Sequence, residues 1–227
     1  AGGLTEGFLR RNYDFISHIE VNPYASSTLK TRILYHQLVK ENRKDIYYQY
    51  YNGEIKKDEF LQVCRDIGLN NNGIINEEIS NKTRDAIIDQ IKSHRKELDC
   101  NQNVDVLIGG PPCQAYSLIG RGRDPNGMRD DPRHTLYLHY LKFIQEFQPD
   151  LFIFENVPGI ISAKNGEIYR DFLSKIGELG YCSDREPKIL DSQNFGVIQT
   201  RKRVIVIGWK KEYDLSYPEF PEKVSDY

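Results

Sequence analysis

Asp105-Val106-Leu107-Ile108-Gly109-Gly110-Pro111-Pro112-Cys113-Gln114-Ala115-Tyr116-Ser117 is the stretch on which the fold turns. A short apolar strand over residues 104–109 breaks on a glycine pair. Two prolines stiffen the turn, and a cysteine follows just beyond the strand's carboxyl end. In open α/β sheets ligands bind at that edge, so a thiol presented there is placed to act as a nucleophile. The plain alternative is a small buried hydrophobe, the usual state of an isolated cysteine. Cys64, Cys100 and Cys182 lack such a context and read as structural.

Working outward, Leu151-Phe152-Ile153-Phe154 is a fully apolar strand that ends at Glu155-Asn156-Val157, and residues 203–209 form a third buried strand. A less definite strand spans 187–190, and helices are predicted over 135–146 and 168–179. Upstream, the alternation over 15–21 predicts a strand. Asn22-Pro23 then opens a helix running to about residue 39, with Leu29, Ile33, Leu34 and Leu38 near helical spacing. From about 40 to 103 the chain turns charged and rich in Tyr and Asn. Helices at 56–67 and 82–98 flank an Asn70-Asn71-Asn72-Gly73 turn, so the block reads as a helical insertion between sheet strands. Strands alternating with helices define an α/β sheet with helices on both faces, here as one domain over 1–227.

Composition narrows the function classes. A chain of 227 residues can bury one good core. It has no apolar run approaching the roughly 18 residues of a membrane span. Four cysteines without CxxC spacing argue against a zinc site or a disulfide framework and for a reducing, cytoplasmic setting. A net charge of −2 requires any basic, nucleic-acid-facing surface to be local. The Ala1-Gly2-Gly3 start and the Tyr/Pro-rich finish lead to the expectation of a fragment cut at both ends.

Glu155 would stand at the same sheet edge as Cys113, as a general acid or hydrogen-bond partner. In Gln199-Thr200-Arg201-Lys202-Arg203, alternate residues of an extended segment face one way, so Gln199, Arg201 and Arg203 share a face. Two guanidinium groups there suit a phosphate or a base carbonyl, whereas a solvated basic surface is the ordinary alternative. The loop at 118–134, with Arg121, Arg123, Arg129 and Arg133, is locally basic and could close over a polyanion. Glu20 ends the first strand, where a carboxylate often takes ribose hydroxyls. Gly2-Gly3 lies about 20 residues before it, as a glycine-rich first turn would.

Together these pieces resemble the cytosine-C5 DNA methyltransferase family. Its ordered motifs are matched by AGGLTEGF (1–8), Glu20, GGPPCQAYS (109–117), Leu136, FENV (154–157) and QTRKR (199–203). The resemblance implies a Rossmann-like fold, S-adenosylmethionine as cofactor, and a monomer acting on double-stranded DNA with no metal and no membrane. It casts Cys113 as the nucleophile on C6 of a flipped-out cytosine. It has Glu155 holding the N3/N4 edge, Arg203 holding the base near O2, and Arg201 supporting the site. Gln114, Ser117, Arg121 and Arg123 fall at DNA-facing loop positions. Ala1, Gly2, Gly3, Glu20, Val21, Pro112 and Leu136 fall around the cofactor.

The departures also matter. The strand that should precede the first motif, the target-recognition domain and the last two motifs have no counterpart. The family's third-motif acid is not evident, and Glu78-Ile79 is the best substitute. A bacterial or phage modification enzyme is the expected setting. The rivals are a tRNA cytosine-C5 methyltransferase, a non-catalytic cofactor- or DNA-binding fragment, and a nicotinamide-dependent oxidoreductase, for which the cysteine turn has no use.

Overall fold

The structure is a computed structural model that describes residues 2–98, 103–111, 136–184 and 186–224. Cys113 and the rest of its turn beyond Pro111, the basic loop and Ala1 lie outside the described residues. The chain divides into two compact units, Ala1–Asn101 and Gln102–Tyr227.

The first unit begins with helix α1 (Gly3–Leu9), strand β1 (His18–Ile19) and helix α2 (Pro23–Lys40). Asn22 caps α2 by accepting from the backbone N–H groups of Tyr24 and Ala25 at 2.9 and 3.0 Å, with Pro23 in the first turn. Glu6 of α1 pairs with Arg32 and His36 of α2, at 3.0 and 3.1 Å, pinning the two helices together. Gly2 has φ +77°, and a Cβ there would lie 2.9 Å from Leu29, so only glycine fits. Helices α3 (Lys44–Tyr51) and α4 (Lys57–Asp66) close on α2 around Leu34, Leu38, Ile46, Phe60 and Cys64. Burial pushes the Cys64 thiol pKa up, in keeping with a structural cysteine.

Strand β2 (Ile74–Ile75) and helix α5 (Arg84–Glu97) complete the unit. β2 pairs in parallel with β1, His18 opposite Ile74 and Ile19 opposite Ile75. The block expected to be a helical insertion therefore also contributes a sheet strand. The strand expected over 15–21 contracts to two ladder residues. His18 sits between Thr5 Oγ1, at 3.2 Å, and the Phe15 ring, and burial pushes its pKa down to about 4.

The second unit is built on a five-stranded mixed sheet. Its strands are β3 (Val106–Gly109), β4 (Leu151–Asn156), β5 (Tyr181–Ser183), β6 (Lys188–Asp191) and β7 (Lys202–Lys210). β3 and β4 are parallel, Val106 opposite Leu151 through Gly109 opposite Phe154. β7 runs antiparallel to β4, with β5 and β6 both antiparallel to β7. The expectation of a fully buried third strand is corrected here. β7 alternates, with Val204, Val206 and Gly208 buried and Arg203, Ile205 and Ile207 only half-buried.

Helices α6 (Leu136–Phe147), α7 (Gly159–Ser162) and α8 (Glu167–Glu178) supply the apolar cover. Tyr140, Ile144, Phe172 and Ile176 pack with Phe152, Phe154, Val204 and Val206 in one core. The Phe154 and Phe172 rings lie 4.4 Å apart. Buried Tyr140 places its hydroxyl 2.9 Å from the Ile153 carbonyl and 3.2 Å from that of Leu107, bracing β3 against β4. Gly208 leaves room for Phe152, whose ring would lie 2.2 Å from an added Cβ. The fold is Rossmann-like α/β.

Candidate active site

The β4/β7 ladder sets the site. Glu155 pairs with Ile205, so Arg203, two residues along β7, is on the same face, and Arg201 is two further. Arg203 Nε donates to Glu155 Oε1 at 2.8 Å, and Arg201 Nη2 stands 3.8 Å from the same oxygen. Glu155 and Arg203 are each 22% exposed at the side chain and Arg201 54%, so one pair is sheltered and the outer guanidinium is solvated. Arg203 Nη1 donates to the Lys202 carbonyl at 2.7 Å, which leaves Nη2 without a partner among the described residues. Glu155 is the fifth residue of β4, inside the ladder rather than just past its end as expected.

The glycine pair is explained by what flanks it. A Cβ on Gly109 would lie 2.7 Å from the Tyr140 ring, and one on Gly110 would lie 2.7 Å from Glu155 Oε2. The first glycine admits the core and the second admits the carboxylate. Gly110, the residue after β3, thus lies directly against Glu155.

Two positioning residues were not evident from the sequence. Asn156, 1% exposed, donates from Nδ2 to the Pro111 carbonyl at 3.3 Å and accepts from the Val157 N–H at 2.9 Å. It ties the proline turn to the end of β4. Its signal was available: a polar residue on the core-facing side of an alternating strand must find partners. Asp191, 8% exposed, accepts from the Arg201 N–H at 3.0 Å and holds the approach to β7. Thr200 reinforces that approach by donating to Gln193 Oε1 at 2.6 Å. Gln199 is exposed and contributes its carbonyl to Ser192.

Leu136 is the first described residue of α6 and is half-buried. Pro112, Cys113, Gln114, Ser117, Arg121 and Arg123 lie outside the described residues. Among the described residues no three His, Cys, Asp or Glu side chains gather to hold a metal, and no helix is long and apolar enough to cross a membrane.

The first unit gathers its own set. Glu20 follows β1, and its Oε1 accepts from the Asn22 N–H at 2.9 Å. Its second carboxylate oxygen has no partner among the described residues. Around Gly3 a Cβ would meet nothing within 4 Å. Val21 is exposed, and its carbonyl accepts from Asn76. Glu78 is exposed, and its carbonyl accepts from Thr83 Oγ1 in the turn that leads to α5, while Ile79 is half-buried beside it.

A Rossmann-like sheet that carries an acid–guanidinium pair beside a glycine–proline strand end defines a recognisable class of α/β protein. The sequence model of the C-5 cytosine-specific DNA methylase family matches residues 76–226, and the chain belongs to that family. It is 33% identical over 97% of its length to the Type II methyltransferase M.Bpa9945I of Bacillus paralicheniformis, covering 54% of that protein. It is 38% identical over 54% of its length to M.FnuDI of Fusobacterium nucleatum, covering 34% of it. The chain therefore spans about half or less of the length of these curated relatives. Among solved structures, a mutant of DNMT2 from Spodoptera frugiperda superposes with a TM-score of 0.53 at 18% identity. That match covers 97% of this chain and 50% of the other, and it bears on the fold alone.

Proposed function

We propose that this chain is the catalytic part of an enzyme that methylates C5 of a cytosine turned out of duplex DNA, with S-adenosylmethionine as methyl donor. The observation that carries this proposal is the 2.8 Å pair of Arg203 Nε and Glu155 Oε1, standing against the Gly109-Gly110-Pro111 strand end that leads to Cys113. The cysteine, the acid and the arginines are read as one site.

The chemistry follows from those side chains. The Cys113 thiolate adds to C6 of the ring, forming an S–C6 bond as the C5=C6 electron pair shifts toward C4 and the C4=N3 pair onto N3. Glu155 holds the N3/N4 edge and delivers the proton that N3 takes up. C5 thereby becomes nucleophilic. When bound, S-adenosylmethionine supplies an electrophilic methyl group. The methylated C5 then gives up its proton to a base or to water, and the C5–H electron pair re-forms C5=C6 and expels the Cys113 thiolate. N3 returns its proton to Glu155, which restores the aromatic ring and the enzyme.

Arg203 has two tasks. Its Nε fixes Glu155, and its Nη2, without a partner among the described residues, is available to the base O2. Arg201, more exposed, backs the pair and the nucleic-acid backbone. Gln114, Ser117, Arg121 and Arg123 complete the DNA-facing surface, and Leu136 and Pro112 border the cofactor. Glu20 fits a ribose diol, since a strand-end carboxylate with one oxygen open can accept from adjacent hydroxyls. Gly2 and Gly3 are assigned to the same cofactor site on the motif they open. The relatives' designation as bacterial Type II methyltransferases supports an intracellular restriction-modification setting.

The test is incubation of the full-length protein with labelled S-adenosylmethionine and either duplex DNA or tRNA, followed by digestion and identification of the modified nucleoside. We expect 5-methylcytosine in DNA. Product in tRNA alone would overturn the substrate class, and product in neither would overturn the activity.

A further inference from the structure

We propose that Asn76 is a positioning residue of the cofactor site, its side-chain amide clamping the backbone that carries Glu20. The inference rests on the proposal above that Glu20 takes the cofactor ribose. The parallel register that sets Ile19 opposite Ile75 brings Asn76, the residue after β2, level with the residues after β1. Asn76 Nδ2 donates to the Glu20 carbonyl at 2.7 Å and to the Val21 carbonyl at 3.1 Å, so one amide serves two successive carbonyls. From the other side the Glu20 N–H donates to the Ile75 carbonyl at 3.0 Å.

Glu20 is thus held at its N–H by β2, at its carbonyl by Asn76 and at Oε1 by the Asn22 N–H, with Oε2 left open among the described residues. The ladder beneath it is two residues long and would by itself leave this stretch of backbone loose. Asn76 extends the pairing by one step through a side chain. The residue type matters, because both bonds need a donor. A carboxylate of the same shape would face two carbonyl oxygens instead.

The test is titration of S-adenosylmethionine into the full-length protein by calorimetry, with circular dichroism verifying the fold of each variant. Asn76→Ala should weaken binding about five- to tenfold, the loss expected for one or two solvent-accessible hydrogen bonds. The KM for the cofactor should rise by a similar factor, with kcat falling less. Asn76→Ser, which keeps one donor and is the milder variant should the alanine not fold, should fall between. Asn76→Asp should bind no better than Asn76→Ala. Wild-type affinity in Asn76→Ala overturns the clamp. Asn76→Asp binding as tightly as wild type, or more tightly, also overturns it, since Asn76 would then touch the ligand directly. Glu20→Ala is the control for the underlying proposal. If it binds like wild type, the Glu20 assignment fails whatever Asn76 does. If it weakens binding while Asn76→Ala does not, only the clamp fails.

Discussion

The two ends of the β4/β7 ladder carry the same device and use it differently. At the amino end of β4, Lys210 Nζ meets Asp150 Oδ1 at 2.8 Å. At the carboxyl end, Arg203 Nε meets Glu155 Oε1 at the same distance. The Asp150 end is closed. Tyr213 donates to the same carboxylate oxygen at 2.6 Å, the Lys210 N–H donates to the Asp150 carbonyl at 3.2 Å, and Tyr181 seals the corner by donating to the Pro149 carbonyl at 2.7 Å. The Lys210 Nζ and Tyr213 hydroxyl bonds hold the Asp150 carboxyl below the usual carboxylate range. The Glu155 end keeps bonding capacity in reserve among the described residues. A glycine rather than a side chain stands beside Oε2, and Arg203 Nη2 has no partner among the described residues. The same kind of ion pair thus makes a staple at one end and, on the proposed function, a site at the other. The difference lies in the hydrogen-bonding capacity left unused among the described residues.

The sharpest way to break this contrast is to cut each pair. Arg203→Ala should lower kcat/KM on DNA by about 10²–10⁴-fold, the range for losing a positioned proton-transfer group, because Glu155 loses its anchor. Lys210→Ala should lower it by far less, with its effect seen in denaturant unfolding. Equal losses of activity would end the distinction between staple and site.

Crowding is the next probe. Gly208→Ala drives a methyl into the Phe152 ring and should cost about 1–3 kcal/mol in urea unfolding. Gly177→Ala in α8, with nothing within 4 Å, should stabilise the chain by about 0.5–1 kcal/mol. Gly110→Ala should instead displace the Glu155 carboxylate and act chiefly on activity. A Gly110→Ala enzyme with full activity would show that Oε2 needs no open flank.

The smallest effect concerns acid. The Asp150 carboxyl is depressed by its bonds to Lys210 and Tyr213, so its contribution to stability is present above the unfolded carboxylate range near 3.8. It is lost as pH falls below that range toward the folded value. The pair is partly exposed, and the contribution is at most about 1 kcal/mol. Asp150→Asn should remove that acid-dependent part of the unfolding profile, and an unchanged profile would show that the closed end is not a staple.

What could be read beforehand follows from how locally each feature is encoded. β3, β4 and β7 announce themselves as apolar runs, and the two-residue period places Arg201 and Arg203 on one face before any coordinates are known. Glu155 is conspicuous because a carboxylate ends an apolar strand. β2 was hidden because Ile74-Ile75 lies between an Asn/Gly turn and acidic residues and becomes a strand only by pairing with a partner 56 residues away. α3 was missed because its Tyr-rich run has weak intrinsic helix preference and is stabilised by packing around Ile46. The antiparallel sense of β7 has no local signature. Asn76, Asn156 and Asp191 act on backbone carbonyls and amides brought to them by the fold, so residue type alone gave little notice of their tasks.

The most direct test of the central claim is covalent trapping. Full-length protein, wild type and Cys113→Ala, is incubated with S-adenosylmethionine and duplex DNA carrying 5-fluorocytosine at the target position. Fluorine at C5 cannot leave as the proton does, so the cysteine adduct persists after methyl transfer. We predict a denaturation-resistant protein–DNA complex with wild type, none with Cys113→Ala, and a much reduced yield with Arg203→Ala. A complex that survives in Cys113→Ala, or none with the wild-type enzyme on any duplex it methylates, would contradict the assignment of the nucleophile.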